Sequence, residues 1–159
     1  MNHENQDEVN RYLNFSLGIE EFAIPLLTVK EVIAIPETTP IPHTPAHFLG
    51  IMNLRGQVIS VIDLRKKFSI SPKKTEENSV IILDLKTEFL GVVVDSVTSV
   101  LAIKNSEISE KPMIESSRST EYITGVFRKT EQLVLLLDIF KALSHDDKAA
   151  MQKSVTKAA

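Results

Sequence analysis

The sequence predicts an all-β protein: two small five-stranded barrels sharing an apolar seam, with very little helix. Three observations predict it. Apolar residues come in short runs bounded by turn formers, the pattern of strands and not of long helices. Parts of the first half recur in the second. Several runs, Val80–Leu83, Val92–Val94 and Leu133–Leu137, are apolar at successive positions, as strands covered on both faces require.

Taken in order, Arg11–Gly18 alternates with Tyr12, Phe15 and Leu17 apolar, and Gly18-Ile19-Glu20 turns the chain into a strand over Glu21–Leu26. A strand at Val29–Ile35 follows, entered through a helical turn near Thr28. Pro36, Pro40, Pro42 and Pro45 deny residues 36–46 both ladder and helix, so this segment reads as a surface crossing. Strands Leu49–Leu54 and Gln57–Ile62 flank an Arg55-Gly56 hairpin turn. Asp63–Phe68 reads as one helical turn capped by Asp63. Polar Ser69–Asn78 marks a boundary. Beyond it come strands Ser79–Leu85, Glu88–Val94 and Val100–Ile103, a polar insert to about Thr120, and strands Glu121–Phe127 and Gln132–Leu137. Asp138–Leu143 is a second short capped helix. The alanine-rich tail 144–159 opens with Ser144 and Asp147 at capping-box spacing and predicts a terminal helix.

The repeat sets the organisation. Val29–Ile35 matches Val97–Ile103 at four of seven positions, 68 residues apart. Gly50 precedes Asp63 by 13 residues, and Gly125 precedes Asp138 by 13, an offset of 75. Five short strands cannot bury a sheet face unless the sheet curls or packs on another, and closure removes the exposed edges. The expected division is a core over 11–143 with barrel units roughly 11–68 and 79–143 interleaved at the seam, a polar arm 1–10 and a helical tail 144–159.

The 159 residues carry 18 basic and 21 acidic side chains, a formal charge of −3, with no cysteine and no tryptophan. Absent cysteine excludes disulfides and thiolate chemistry. Even charge and only two tyrosines leave no basic or aromatic platform, which speaks against an oligonucleotide- or glycan-binding barrel. The polar start has no apolar leader, so the expectation is a cytoplasmic chain. A paired-aspartate protease site fails because Val97, not glycine, follows Asp95-Ser96; Asp63, Asp95 and Asp138 read instead as caps. His43 and His47 have the spacing of a zinc pair on a helix, but Pro45 lies between them and no third ligand is evident, so both read as loop histidines. No metal, no cofactor and no enzyme activity are expected. What remains is surface: Arg55 as a rigid fork of donors at a hairpin, and Glu31 on the third strand.

Phe15-Ser-Leu-Gly-Ile-Glu-Glu-Phe-Ala-Ile-Pro-Leu26, Val29-Lys-Glu-Val32, Thr44-Pro-Ala-His-Phe-Leu-Gly50, Asn53-Leu-Arg-Gly56, Val61-Ile-Asp-Leu-Arg65, Gly91-Val-Val-Val-Asp95 and Ser119-Thr-Glu-Tyr-Ile-Thr-Gly125 stand in the order of the CheW-like family of bacterial chemotaxis coupling domains. The chain resembles that family over about residues 11–143. The resemblance implies two SH3-like barrels and a non-enzymatic scaffold joining the chemoreceptor's cytoplasmic helical hairpin to the regulatory domain of the histidine kinase CheA. It also implies pairing with other CheW-like chains in rings, no nucleic acid, and membrane recruitment only through receptors. A groove between the barrels would receive the hairpin. Arg55 matches the family's signature arginine and Glu31 its acidic position; Val29, Val58, Val80 and Gly91 match partner-contact positions. In the tail, Ala150 and Met151 stand where a more leucine-rich helix is usual. The same scaffold in another chemosensory pathway, such as surface motility, would read alike.

Overall fold

The structure, a computed structural model, describes residues 8–71, 78–110 and 122–158, with only the backbone of 154–158. Eleven strands are described: β1 (Val9–Leu17), β2 (Glu20–Pro25), β3 (Val29–Ala34), β4 (Phe48–Leu54), β5 (Gln57–Asp63), β6 (Ser79–Asp84), β7 (Phe89–Val94), β8 (Ser96–Lys104), β9 (Ile108–Ser109), β10 (Ile123–Lys129) and β11 (Gln132–Leu137). Helices are α1 (Leu64–Lys67), α2 (Ile139–Ala142) and α3 (His145–Ala158). The all-β expectation with short capped helices and a terminal helix is met. β8 begins at Ser96 and not Val100, because its polar first residues still pair with β1. The first seven residues of the expected arm lie outside the described ones, and Val9 and Asn10 already pair with Lys104 and Ile103.

One sheet has the order β8-β1-β2-β11-β10-β9 and the other β3-β6-β7-β5-β4. This corrects the expected units 11–68 and 79–143. Each sheet takes a hairpin from one half of the chain and three or more strands from the other. Hairpin β1–β2 completes the sheet of β8–β11, and hairpin β6–β7 completes that of β3–β5. The joints correspond: β2 pairs parallel with β11 as β7 does with β5, and β1 pairs antiparallel with β8 as β6 does with β3. The repeat is therefore real in topology, but its two copies exchange their first hairpins.

Both sheets close by one device. After β3 the proline-rich crossing brings Thr39 onto Ile51, with N–H···O bonds of 2.8 and 2.9 Å in the two directions. After β8 the chain continues into β9, which pairs with β10. The repeated glycines mark these crossings, each at a register shift. A Cβ on Gly50 would lie 2.1 Å from the Thr39 carbonyl oxygen, and one on Gly125 would lie 2.5 Å from the Ile108 side chain. Each half also repeats its exit: Asp63 N–H donates to the His47 carbonyl and Asp138 N–H to that of Tyr122, both at 2.8 Å. The Asp63 carboxylate then accepts from Arg65 N–H and that of Asp138 from Lys141 N–H, the two expected caps.

Alternation along the consecutive apolar runs divides the core into three. Val80, Ile82 and Val93 fill the β3–β7 barrel with Met52, Ile59 and Val61. Ala23, Ile103, Val134 and Leu136 fill the other barrel. Ile81, Leu83, Val92 and Val94 face the seam, against Leu13, Phe15, Leu17, Phe22, Ile24 and Leu137. At about 1.5–3 kcal/mol for each fully buried large apolar side chain, the seam is a principal term in stability.

Two ionic clusters lock the seam's ends. Arg65 forks onto Asp63 with two bonds of 3.0 Å and reaches Asp95 at 2.8 Å. Asp95, wholly buried, also accepts from the Gly18 N–H of the β1–β2 turn. Asp95 is thus a strut between the exchanged hairpins. Asp147 in α3 is wholly buried as well. It accepts from His47 Nε2, from Lys67 Nζ at 2.6 Å and from Ser144 N–H at 3.0 Å, while its own N–H donates to Ser144 Oγ at 3.1 Å. The capping box is formed, and His47 is a partner of α3 and not a bare loop histidine.

Gly125→Val should cost about 1–3 kcal/mol in urea unfolding, as overpacking does. Gly50→Val should cost more, because the clash there is with backbone. Desolvation pushes the Asp147 carboxyl up, but the Lys67 ammonium, the Ser144 N–H and His47 outweigh it and hold the group below the usual carboxylate range. A depressed folded-state pKa contributes stability above the unfolded value of about 3.9, which is lost as pH falls through the folded value. Asp147→Asn, which leaves the Lys67 cation unpaired, should lose roughly 3–5 kcal/mol at pH 7. Its deficit against wild type should shrink as pH is lowered from about 5 to 2.

Candidate functional site

Arg55 and Glu31, 24 residues apart in sequence, meet at the mouth of the β3–β7 barrel, where Arg55 Nη2 donates to Glu31 Oε1. The two-residue turn Arg55-Gly56 joins Leu54 and Gln57, which pair, and both turn residues have positive φ, 51° and 87°. This is the primed hairpin turn that matches strand twist. Asn53 Oδ1 accepts from Gly56 N–H at 2.8 Å and holds it. Arginine in the left-handed region is uncommon, and such strain concentrates at functional positions. The equivalent turn of the other barrel puts Thr130 at φ 57°. The Arg55 side chain is 66% exposed and that of Glu31 28%, so their pair contributes at most about 1 kcal/mol to stability. Its use is to hold the guanidinium in place.

The other expected contact residues separate into two groups. Val29 and Val58 are half-buried on β3 and β5 and reach the surface beside this pair. Val80 and Gly91 do not. Val80 is fully buried in the barrel interior, and a Cβ on Gly91 would lie 3.0 Å from the Val80 side chain and 3.4 Å from that of Val61. Both are expected contact residues, and in this structure they pack inside the barrel. Glu31 pairs with Ile82 and Ile82 with Gly91, so Gly91 lies two strands from Glu31 in the same row, under the mouth.

A cleft of about 180 Å³ opens between the barrels next to this row. β1 and β2 contribute Tyr12 and Ile24, β6 contributes Leu83, and α2 contributes Ile139 and Phe140. Leu83 pairs with Val29, which joins cleft and barrel mouth in one surface. Leu27 is 98% exposed, beside Thr28 on the cleft's lip, and Phe140 is 52% exposed; large apolar groups left out in this way mark contact sites. Burial pushes the Tyr12 phenol up, so it remains neutral as a donor at working pH. The cleft's residues were not singled out from sequence. The one usable signal was Phe140, which follows Ile139 in a one-turn helix and so must face elsewhere when Ile139 is buried.

Among the described residues no group of three or more His, Cys, Asp or Glu could hold a metal ion. His43 is exposed at φ 62° and His47 is bonded to Asp147. No described helix is long and apolar enough to cross a membrane.

The CheW-like domain family matches residues 11–147. A chemotaxis protein CheW of Klebsiella aerogenes is 37% identical over 139 residues, covering 87% of this chain and 84% of that one. One from Treponema pallidum is 32% identical over 143 residues, with the same coverage. The crystal structure of the scaffolding protein TtCheW from Thermoanaerobacter tengcongensis superposes with a TM-score of 0.80 at 28% identity, over 88% of this chain and 96% of that one. In sequence, and in the paired barrels that the repeat foreshadowed, the chain belongs to the CheW-like domain family.

Proposed function

We propose that this chain is a non-enzymatic chemotaxis scaffold that joins the cytoplasmic hairpin of chemoreceptors to the regulatory domain of the histidine kinase CheA. The observation that carries the reading is the continuous surface from the inter-barrel cleft, through Val29, to the Glu31–Arg55 pair. A receptor hairpin is a pair of amphipathic helices, and docking one needs apolar walls with a few polar fixes. The cleft supplies Phe140, Pro25 and Leu85 as accessible apolar walls over a floor of Ile24 and Leu83, with Tyr12 and Thr28 as polar groups. Arg55 supplies a held guanidinium, able to exchange Glu31 for a partner's carboxylate or carbonyl at small cost because the pair is weak. Further CheW-like chains would extend the contacts into rings, and the chain would work in the cytoplasm, drawn to receptor arrays at the inner membrane. The match of family and fold to scaffolding relatives supports the assignment.

Reconstitution tests it: purified chain added to receptor membranes and kinase should raise phosphorylation, and attractant should suppress the rise. Failure with chemotaxis receptors, but success with those of a surface-motility system, would reassign the pathway while keeping the scaffold. Arg55→Gly suits the left-handed turn and should melt at or above the wild-type temperature, and Arg55→Ala should fold like wild type. Both should bind at least one partner about tenfold or more weakly, as expected for an interface arginine. Calorimetry against receptor fragment and kinase regulatory domain separately decides it, and unchanged affinity for both would remove Arg55 from the site.

A further inference from the structure

We infer that α3 is a brace for the cleft: the buried Asp147 locks the helix in place, and the next residue, Lys148, sets the position of Phe140 on the cleft wall. The inference rests on the reading that the cleft receives a helical partner.

An isolated helix of this length is marginal in water, so something must dock it. Of its described side chains only Asp147, Ala150 and Met151 are buried, a narrow apolar contact. Polar anchors supply the rest. Asp147 gathers donors from three separate segments: His47 before β4, Lys67 at the end of α1, and the Ser144 backbone. Lys153 Nζ donates to the Pro42 carbonyl at 3.0 Å and ties the next turns to the proline-rich crossing. These bonds fix both the rotation and the height of α3.

Lys148 faces the other way. Its ammonium lies 4.4 Å from the centroid of the Phe140 ring, over its face. Phe140 is half exposed, so core packing holds it on one side only, and a cation over the ring selects among its rotamers. The adjoining Ile139 and Leu143 are buried in the seam and hold the α2 backbone still. The mobile element of this wall is therefore the Phe140 ring, and its position follows that of α3. A cleft wall set before the partner arrives lowers the ordering cost of docking.

The test has one arm without partner and one with it. In the free protein carrying fluorinated Phe140, Lys148→Gln should shift the ring's fluorine resonance, and Lys148→Arg, which keeps a cation over the ring, should restore it. Against a soluble chemoreceptor cytoplasmic fragment, Lys148→Gln should bind about 2–5-fold more weakly, with Arg restoring affinity, while affinity for the kinase regulatory domain stays at the wild-type value. Asp147→Asn, checked for folding by circular dichroism, should raise amide exchange in α3 and weaken receptor binding at least as much. An unchanged fluorine resonance in Lys148→Gln, or wild-type receptor affinity in that variant, overturns the brace. Wild-type protein that fails to bind the receptor fragment at all overturns the reading of the cleft instead, and the fluorine arm still decides whether α3 positions Phe140.

Discussion

Neither barrel is complete within one half of the chain. The β3–β5 strands acquire their middle from β6–β7, and the β8–β11 strands acquire theirs from β1–β2. A barrel that has lost its inner hairpin is an open sheet with two unpaired edges, which is unstable in water. The exchange therefore makes the two barrels interdependent. The seam cluster draws on both sheets, so loosening either one exposes apolar surface in the other. A rigid relation between barrels is what a cleft between them requires.

The same constraint explains where the buried charges lie. Asp95 stands where the chain leaves one barrel for the other, and its carboxylate reaches Gly18 in the exchanged hairpin and Arg65 in α1. An isolated carboxylate there would be heavily penalised by desolvation, so it is tolerable only because its acceptors are taken by a guanidinium and a backbone N–H. The Asp63 and Asp95 carboxylates hold the Arg65 guanidinium above its ordinary value, against the opposing effect of burial. Hydrophobic contact fixes how closely the barrels approach; these directional bonds fix their register. At the far end Asp147 does the same for α3.

Much of this was legible in sequence, for physical reasons that differ by element. The caps at Asp63 and Asp138 and the box at Ser144 and Asp147 are local, set by residues within three positions, and they formed as read. The seam was legible because strands covered on both faces cannot alternate. The repeat was legible, but its partition was not: pairing within a half and exchange between halves place the same residues on the same kinds of strand, and no local pattern separates them. Asn14 shows the complementary limit. It stands between Leu13 and Phe15 in a segment whose pattern alternates, yet it is wholly buried along with both, because β1 is an inner strand of its sheet and is covered on both faces. At the site, Arg55 and Glu31 were found separately and only the fold brought them together. Val80 and Gly91 were carried over as contact residues, and only the fold shows that both lie inside the barrel, since position in a motif does not reveal which way a strand residue points.

The remaining question is why the most exposed ion pair stands at the site while the strong ones are buried elsewhere. A buried pair is costly to break, since removing one partner strands the other's charge. Such pairs suit a frame and do not suit a surface that must exchange partners. Arg55, two-thirds exposed, can part from the half-buried Glu31 with little loss and pair with another chain's groups, while Asn53 and the turn keep the guanidinium stem where it began. The division follows from dielectric environment alone: the same chemistry, guanidinium to carboxylate, is a permanent strut at Arg65 and an exchangeable contact at Arg55, because one is surrounded by protein and the other by water.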